Sequence, residues 1–119
     1  MPISFLNSFE RQQYQGTAQD IEEDILIRFF YLTEEDIKFV RSFYSPINRI
    51  AIGTLIGLIR YKGYVPDNWK KKLPKVIFNF ISGQLGYKVR FTVLYDYGKR
   101  EQTETEHLRQ ILAHLRFRR

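Results

Sequence analysis

Apolar side chains recur at helical spacing along most of this 119-residue sequence, and breaks in that spacing divide it into segments. The pattern predicts two helices, over residues 5–15 and 17–30, separated at Gly16. Thr33 is followed by three acidic residues, which is typical of a helix start because the hydroxyl and the carboxylates stabilise the free amides of the first turn. A third helix is therefore expected over 34–43.

The segment 47–61 is apolar on nearly every side when it is placed on a helix. Such a helix is normally buried at the centre of a bundle. Gly53 and Gly57 lie about one helical turn apart within it and would let a neighbouring backbone approach closely. The preceding helix is expected to end at Ser45 and Pro46, since proline disfavours helical geometry at the residue before it.

The second half of the chain contains two further helical patterns. After a basic loop over 63–72, Pro74 suits the first turn of a helix that runs to Leu85 and ends at Gly86. The last helix is expected over 103–115, where leucine and isoleucine side chains form one apolar stripe: Leu108, Ile111, Leu112 and Leu115.

One segment departs from the helical pattern. Residues 88–97 alternate between apolar and mostly polar side chains, which favours a strand. No second segment offers a partner for that strand, so its backbone would stay unpaired. The patterns as a whole predict an all-α bundle of about six to seven helices, in two helical subdomains (1–63 and 64–119) or in one merged domain.

Composition limits the classes of protein to which this chain can belong. Hydrophobic residues make up 44% of it and aromatic residues 16%, which is too much for a disordered chain. The absence of cysteine excludes disulfide scaffolds, thiolate zinc sites and cysteine nucleophiles. Neither a secretory signal nor an apolar run of membrane length is visible, so we expect a soluble intracellular domain.

Positive charge is concentrated in one part of the chain. Residues 1–36 carry two basic and eight acidic side chains, whereas residues 37–119 carry 17 basic and five acidic ones. A net charge of +6 gathered in this way is typical of a protein that binds a polyanion such as nucleic acid. The alternative is a basic surface that only keeps the domain soluble.

No arrangement of side chains indicates catalysis, and neither a metal ion nor a cofactor is predicted. The acidic clusters at 20–24 and 34–36 are explained by their places in the first turns of helices. His107 and His114 are seven residues apart and share a helix face, but no third metal ligand is near them in sequence.

Two groups of side chains are candidates for contacts with nucleic acid. The first group closes the central helix and continues into the basic loop: Arg60, Lys62, Lys70, Lys71, Lys72 and Lys75. The second group lies before and within the last helix: Lys99, Arg100, Gln102, Thr103, Thr105 and Arg109. The charged members suit phosphate, and the polar side chains at the start of the helix suit base edges. Tyr61, Tyr64 and Trp69 would stack or pack against sugar, or would instead complete the core.

Several short motifs occur in the same order as in one known family. They are Tyr31-Leu32-Thr33 with Asp36, Asn48-Arg49-Ile50-Ala51, Leu58-Ile59-Arg60-Tyr61 with Gly63, Leu73-Pro74 with Val76, Gln84-Leu85-Gly86, and Arg100-Glu101-Gln102-Thr103 with Glu106-His107-Leu108 and Ile111. Together they cover nearly the whole chain. The sequence resembles the amino-terminal domain of the transposases of the Tn-three family of replicative bacterial transposons.

The resemblance implies an all-helical fold with helix-turn-helix-like units that binds double-stranded DNA at the terminal inverted repeats of a transposon. It implies a helix at 88–97, against the strand pattern, and we follow it there. Arg49 and Arg60 match family arginines, and the stretch 100–107, including His107, matches the opening of a recognition helix. Members of the family often carry arginine where Glu104 and Thr105 stand, and a carboxylate that faced DNA there would repel phosphate.

In that family the catalytic domain lies far downstream, so this chain is expected to be a non-catalytic part of a transposase, as an excised domain or a truncated gene product. The rival interpretation is a protein-interaction module that assembles the transposase dimer and makes only non-specific contacts with DNA. The acidic residues 1–36 would then pair with a basic face of a neighbour. Both interpretations imply a protein of the bacterial cytoplasm, associated with the nucleoid and not with a membrane.

Overall fold

Six α-helices and one 3₁₀ helix make up the described part of the chain, in a computed structural model that describes residues 22–98 and 101–117. In chain order they are α1 (Glu23–Phe30), α2 (Glu34–Arg41), α3 (Pro46–Lys62), α4 (Trp69–Lys72), α5 (Lys75–Leu85), the 3₁₀ helix (Phe91–Asp96) and α6 (Glu101–Phe117). These residues contain no strand, which confirms the predicted all-α class. The helix predicted over 5–15 lies outside the described residues.

The apolar helix α3 forms the centre of the bundle, as its sequence predicts. Nine consecutive residues, 50–58, are buried, and α1, α2, α5, α6 and the 3₁₀ helix all pack against it. The Ser45 hydroxyl accepts a hydrogen bond from the Asn48 amide at 3.3 Å where α3 begins, and Gly63, with φ of 86°, ends it. Elements from both predicted subdomains share this helix, so the core is continuous across residue 63. The division at that residue stays a prediction.

The two glycines of α3 admit side chains rather than a neighbouring backbone. The ring of Phe30 packs so closely on Gly57 that a β-carbon there would lie 2.1 Å from the ring. At Gly53 the nearest atoms belong to the side chains of Ile81 and Leu32. Phe30 is completely buried by this packing, which fixes α1 against the central helix.

The predicted start of the helix after Thr33 is confirmed. The Thr33 hydroxyl accepts from the Asp36 amide at 3.1 Å, and the Asp36 carboxylate accepts from the Thr33 amide at 2.9 Å. This reciprocal pair is a capping box, and it satisfies two amides that a helix terminus would otherwise leave free. Of the helix predicted over 17–30, the described part is Glu23–Phe30.

The strand pattern at 88–97 is wrong, and the helix implied by the resemblance is confirmed in 3₁₀ form. Phe91, Leu94 and Tyr97 turn toward the core, and Leu94 and Tyr97 are almost completely buried. Their spacing of three residues is the period of a 3₁₀ helix, whereas the alternation of a strand would place Leu94 on the polar side. No described segment offers the ladder partner that a strand needs.

The ends of α5 follow the predicted signals. Pro74 immediately precedes the helix, and Gly86, with φ of 82°, follows it in the left-handed conformation that glycine adopts without strain. Among the described helices, none is both long and apolar enough to cross a lipid bilayer.

Candidate nucleic-acid interface

The single helical turn α4 carries the lysine cluster predicted to contact phosphate. The sequence predicts a loop over 63–72, and the structure forms this turn at its end. Trp69 and Leu73 are buried and attach the turn to the core, whereas Lys71 and Lys72 are exposed. The burial of Trp69 confirms the alternative in which this side chain completes the core.

Two hydrogen bonds join α4 to the beginning of α6. The Trp69 indole N–H donates to Glu104 Oε2 at 2.9 Å, and the Lys70 ammonium donates to the Tyr97 carbonyl oxygen at 2.5 Å. The Glu104 carboxylate therefore contacts the buried Trp69 side chain of α4. These contacts place the beginning of α6 next to α4.

Tyr97 and His107 attach the next turn of α6. The Tyr97 hydroxyl lies 2.7 Å from His107 Nδ1, and the two rings are stacked with centroids 5.7 Å apart. Burial, and the nearby charge of Glu104, raise the pKa of the Tyr97 phenol, so it stays protonated and donates to Nδ1. Burial lowers the pKa of His107, which favours the neutral imidazole that this hydrogen bond requires.

A buried ion pair attaches the other end of α6. Asp36 is completely buried, and its carboxylate accepts from Arg60 Nη1 and Nη2 at 2.8 and 3.0 Å and lies 2.8 Å from His114 Nε2. Burial alone would raise the pKa of Asp36, but the hydrogen bonds from Arg60, His114 and the Thr33 amide hold it well below its usual range. The His114 ring also stacks on Phe39, with centroids 4.3 Å apart.

Arg49 and Arg60, the two arginines that match the family pattern, make contacts within the chain. Arg60 is held by Asp36 in the pair described above. The Arg49 guanidinium donates to the carbonyl oxygens of Phe43 and Arg41 at 2.8 and 3.1 Å and to the Tyr87 hydroxyl at 2.9 Å. These contacts stabilise the turn between α2 and α3, and a contact of either arginine with DNA stays a prediction.

The aromatic side chains interleaved with the basic loop meet in one cleft. Tyr61, Tyr64 and Trp69 line it together with Lys62 and Lys72. The Lys62 ammonium lies 5.4 Å from the centre of the Tyr61 ring, and Tyr64 is exposed. Two predicted phosphate contacts thus lie at an apolar cleft beside α4.

Three residues predicted for the start of the recognition helix line a polar groove on another side of α6. Thr103, Thr105 and His107 face Phe43 and Tyr44 across it. Asn48 and Gln110 supply further polar atoms to the same groove. The structure therefore brings these residues together at one groove, and His107 also belongs to the face of α6 that contacts Tyr97.

The remaining candidates are exposed or lie outside the description. Lys75 is exposed in the first turn of α5, and Arg109 is exposed and pairs with Glu106 on the surface of α6. Lys99, Arg100 and the side chain of Gln102 lie outside the described residues. No group of three metal-ligating side chains occurs within 22–98 and 101–117.

No sequence pattern indicates the contacts that position α6. From the sequence, His107 and His114 are a metal pair without a third ligand, His107 also matches the opening of a recognition helix, and Asp36 belongs to a helix start and to a family motif. Each histidine in fact contacts a different element of the bundle. Their spacing of seven residues beside the apolar stripe is the one signal that indicated a packing role.

Comparison with known proteins gives a family and several relatives. Residues 5–119 match the family model described as a domain of unknown function, DUF4158. The chain is 31% identical over 117 residues to the transposase for transposon Tn2501 of Escherichia coli, an alignment that covers 98% of the chain and 11% of that transposase. It is 32% identical over 107 residues to the transposase for transposon gamma-delta of Escherichia coli strain K12, covering 90% of the chain and 10% of the relative.

A third relative is the transposase for transposon Tn1546 of Enterococcus faecium, which is 29% identical over 108 residues. The alignment covers 91% of the chain and 10% of that transposase. The chain therefore spans about a tenth of the length of these transposases. No solved structure is significantly similar to it. These similarities confirm the resemblance to the Tn-three-family transposases, and the match over 5–119 shows that the chain belongs to the DUF4158 family.

Proposed function

We propose that this chain binds double-stranded DNA at the terminal inverted repeats of a transposon, as a non-catalytic part of a bacterial transposase that acts at the nucleoid. The observation that carries the proposal is the attachment of the basic turn α4 to the beginning of α6 through Trp69 and Glu104. This contact places a cluster of exposed lysines beside a helix long enough to lie along a DNA groove.

The lysines of α4 and its neighbours supply the phosphate contacts in this proposal. Lys62, Lys71, Lys72 and Lys75 are all exposed. Lysine contacts to phosphate position a protein on the duplex without specifying its sequence. Glu104, the residue that would repel phosphate if it faced DNA, is instead directed at the Trp69 indole.

The salt dependence of binding tests this assignment. Fluorescence anisotropy of the chain on a labelled duplex, repeated over a range of salt concentrations, gives a slope that counts the phosphates neutralised. We expect Lys71→Ala and Lys72→Ala each to weaken binding equally on all sequences and to flatten the slope by about one unit. Lys38→Ala, which removes an exposed lysine from α2, is the matched control and should leave the slope unchanged.

If the Lys71 and Lys72 variants keep the slope of the parent chain, these lysines do not contact phosphate. The wider proposal depends on a second comparison, between a duplex copied from the terminal repeat of the element that carries the gene and a scrambled duplex. A sequence-specific protein should prefer the repeat by about a thousandfold or more. Equal and salt-sensitive binding to both duplexes would mean that the chain has a basic surface without sequence preference.

A second candidate function is protein association, and one observation favours it. Tyr44 is 86% exposed and stands at the edge of the polar groove formed with Asn48 and Gln110. Large exposed aromatic side chains are enriched where proteins meet. If the chain is an assembly module, sedimentation equilibrium without DNA should give a mass that rises with concentration, and Tyr44→Ser should abolish the rise.

A further inference from the structure

Helix α6 has one face that holds it to the bundle. Glu104, His107, Ile111 and His114 make the contacts with Trp69, Tyr97, the core and Asp36. They recur at spacings of three and four residues, so they lie on one side of the helix. The elements contacted come from four places in the chain, which fixes both the position and the rotation of α6.

The opposite face of α6 is exposed and carries a stripe of different chemistry. Arg109, Leu112 and Arg116 recur at spacings of three and four residues, and all three are exposed. Leu112 was predicted to belong to the inner apolar stripe, but it is 49% exposed, whereas its neighbour Ile111 is completely buried. Within the part of the chain that the structure describes, no helix packs against this outer stripe.

Among residues 22–98 and 101–117, the charges of the outer stripe have no strong partner. Arg109 pairs with Glu106 three residues earlier, but 73% of the Arg109 side chain is exposed, and surface pairs of this kind contribute little. Arg116 is exposed near the end of the helix. Two arginines that flank an exposed leucine form a surface with both positive charge and an apolar side chain. Such a surface complements DNA, whose backbone is negatively charged and whose major groove contains the apolar methyl groups of thymine.

We propose that the outer stripe of α6, made of Arg109, Leu112 and Arg116, is the face that enters the major groove and contacts base edges. This inference rests on the function proposed above and names its specificity-determining residues. The major groove of DNA admits an α-helix, arginine forms paired hydrogen bonds with guanine there, and apolar side chains contact the methyl group of thymine. The turn α4, which carries exposed lysines, is hydrogen-bonded to the beginning of the same helix and supplies the phosphate contacts of the function proposed above.

The stripe coincides only in part with the candidates indicated by the sequence, since Arg109 belongs to both and Thr105 lies one turn before Arg109 on the same side of α6. Thr103 was predicted to contact base edges, yet it lines the polar groove beside Phe43 and Tyr44. Thr103 and Leu112 are nine residues apart, which is a rotation of roughly 180° about the axis of an α-helix. One helix cannot present both side chains to the same groove floor, so Thr103 and Leu112 cannot both contact base edges.

Anisotropy with the full chain separates the two assignments. The probes are a duplex copied from the terminal repeat of the element that carries the gene and a scrambled duplex of equal length, and the readout is the ratio of their affinities. We expect Leu112→Ala and Arg116→Gln each to lower that ratio by about fivefold to a hundredfold, the cost of a lost base contact. Thr103→Ala should leave the ratio within about twofold of the parent chain, because an uncharged substitution off the contact face is nearly neutral.

Arg28→Gln, which replaces an exposed arginine on α1, is the control for loss of positive charge. It should change neither the ratio of the two affinities nor the affinity for either duplex. Circular dichroism melting of each variant should match the parent, since Leu112, Arg116 and Arg28 are exposed and Thr103 is not fully buried. If the parent chain prefers the repeat but the Leu112 and Arg116 variants keep its ratio, the outer stripe is refuted while the DNA-binding function stands. If the parent chain itself shows no preference, both proposals fail.

Discussion

Replacing the buried carboxylate of Asp36 should remove a large part of the stability of this small bundle. The carboxylate accepts two hydrogen bonds from Arg60, one from the Thr33 amide and one from His114. Asp36→Asn keeps the shape but loses the charge and one acceptor. Breaking a buried ion pair by changing one partner costs about 3–5 kcal/mol. Because the Arg60 side chain is 24% exposed and water can solvate it, we expect the lower end, about 3 kcal/mol.

Urea unfolding followed by far-ultraviolet circular dichroism at neutral pH measures this loss. The matched control is Glu34→Gln, which removes an exposed carboxylate from the same first turn and should cost less than about 1 kcal/mol. The dependence of the unfolding free energy on urea should be the same in both variants, since neither changes the surface exposed on unfolding. If Asp36→Asn costs no more than Glu34→Gln, the ion pair does not stabilise the fold and the argument fails.

The same pair predicts a dependence of stability on pH. Against the effect of burial, hydrogen bonds keep the pKa of Asp36 in the folded chain below the value of about 3.9 that an unfolded aspartate has. The unfolded state therefore binds a proton first as the pH falls, and the stabilisation is complete above about pH 4 and is lost below it. The difference in stability between the parent chain and Asp36→Asn should shrink at about pH 3; a constant difference would contradict the assigned pKa shift.

Two pairs of substitutions test, first, the packing on the central helix and, second, the contact between α4 and α6. Gly57→Ala should destabilise the chain by about 1–3 kcal/mol, because the new β-carbon collides with the Phe30 ring. Gly83→Ala, in open space on α5, should instead stabilise it by about 0.5–1 kcal/mol. Urea unfolding must therefore give changes in unfolding free energy of opposite sign. Trp69→Phe removes the donor to Glu104 and should cost about 1–3 kcal/mol. A double-mutant cycle with Glu104→Ala, which removes the acceptor, should give losses that do not add, and additive losses would show that the hydrogen bond contributes nothing.

The parts of the fold that depend on neighbours within a few residues could be predicted from the sequence. The capping box at Thr33 joins residues three apart, and the all-round apolar character of α3 is a property of that segment alone. The glycine that follows α5 acts at its own position, by adopting a positive φ. Each of these features was predicted at the correct place because no distant part of the chain is needed to form it.

The contacts between distant segments could not be predicted in the same way. Asp36 meets Arg60 across 24 residues and His114 across 78, and nothing in the local pattern of any one of them indicates the other two. The strand pattern at 88–97 failed for a related reason. The apolar residues of this segment fit both the two-residue period of a strand and the three-residue period of a 3₁₀ helix. The 3₁₀ helix forms because the core has room for Leu94 and Tyr97 on the same side.

The candidate site shows the same limit. The sequence identified the lysines of α4 as exposed charge, and Lys71 and Lys72 are exposed. It did not resolve the rotation of α6, since Leu112 is as apolar as Ile111 and the two are adjacent. Only the contacts on the inner side determine which of them is buried.

The contacts that fold the chain also fix the rotation of α6, on which the proposed recognition of DNA depends. The helix is held by Glu104 near its start and by His114 near its end, ten residues apart. Rotation about its axis would break both contacts together, so the exposed stripe has a fixed direction relative to α4. In the proposed mode of binding, a basic turn hydrogen-bonded to a helix of fixed rotation would keep the phosphate contacts at a constant distance from the base contacts. Specific binding requires that distance, because phosphate contacts set the register of a protein on the duplex. Loss of the inner contacts should therefore reduce specificity for the repeat more than it reduces affinity for DNA as a whole, since exposed lysines attract phosphate in any register.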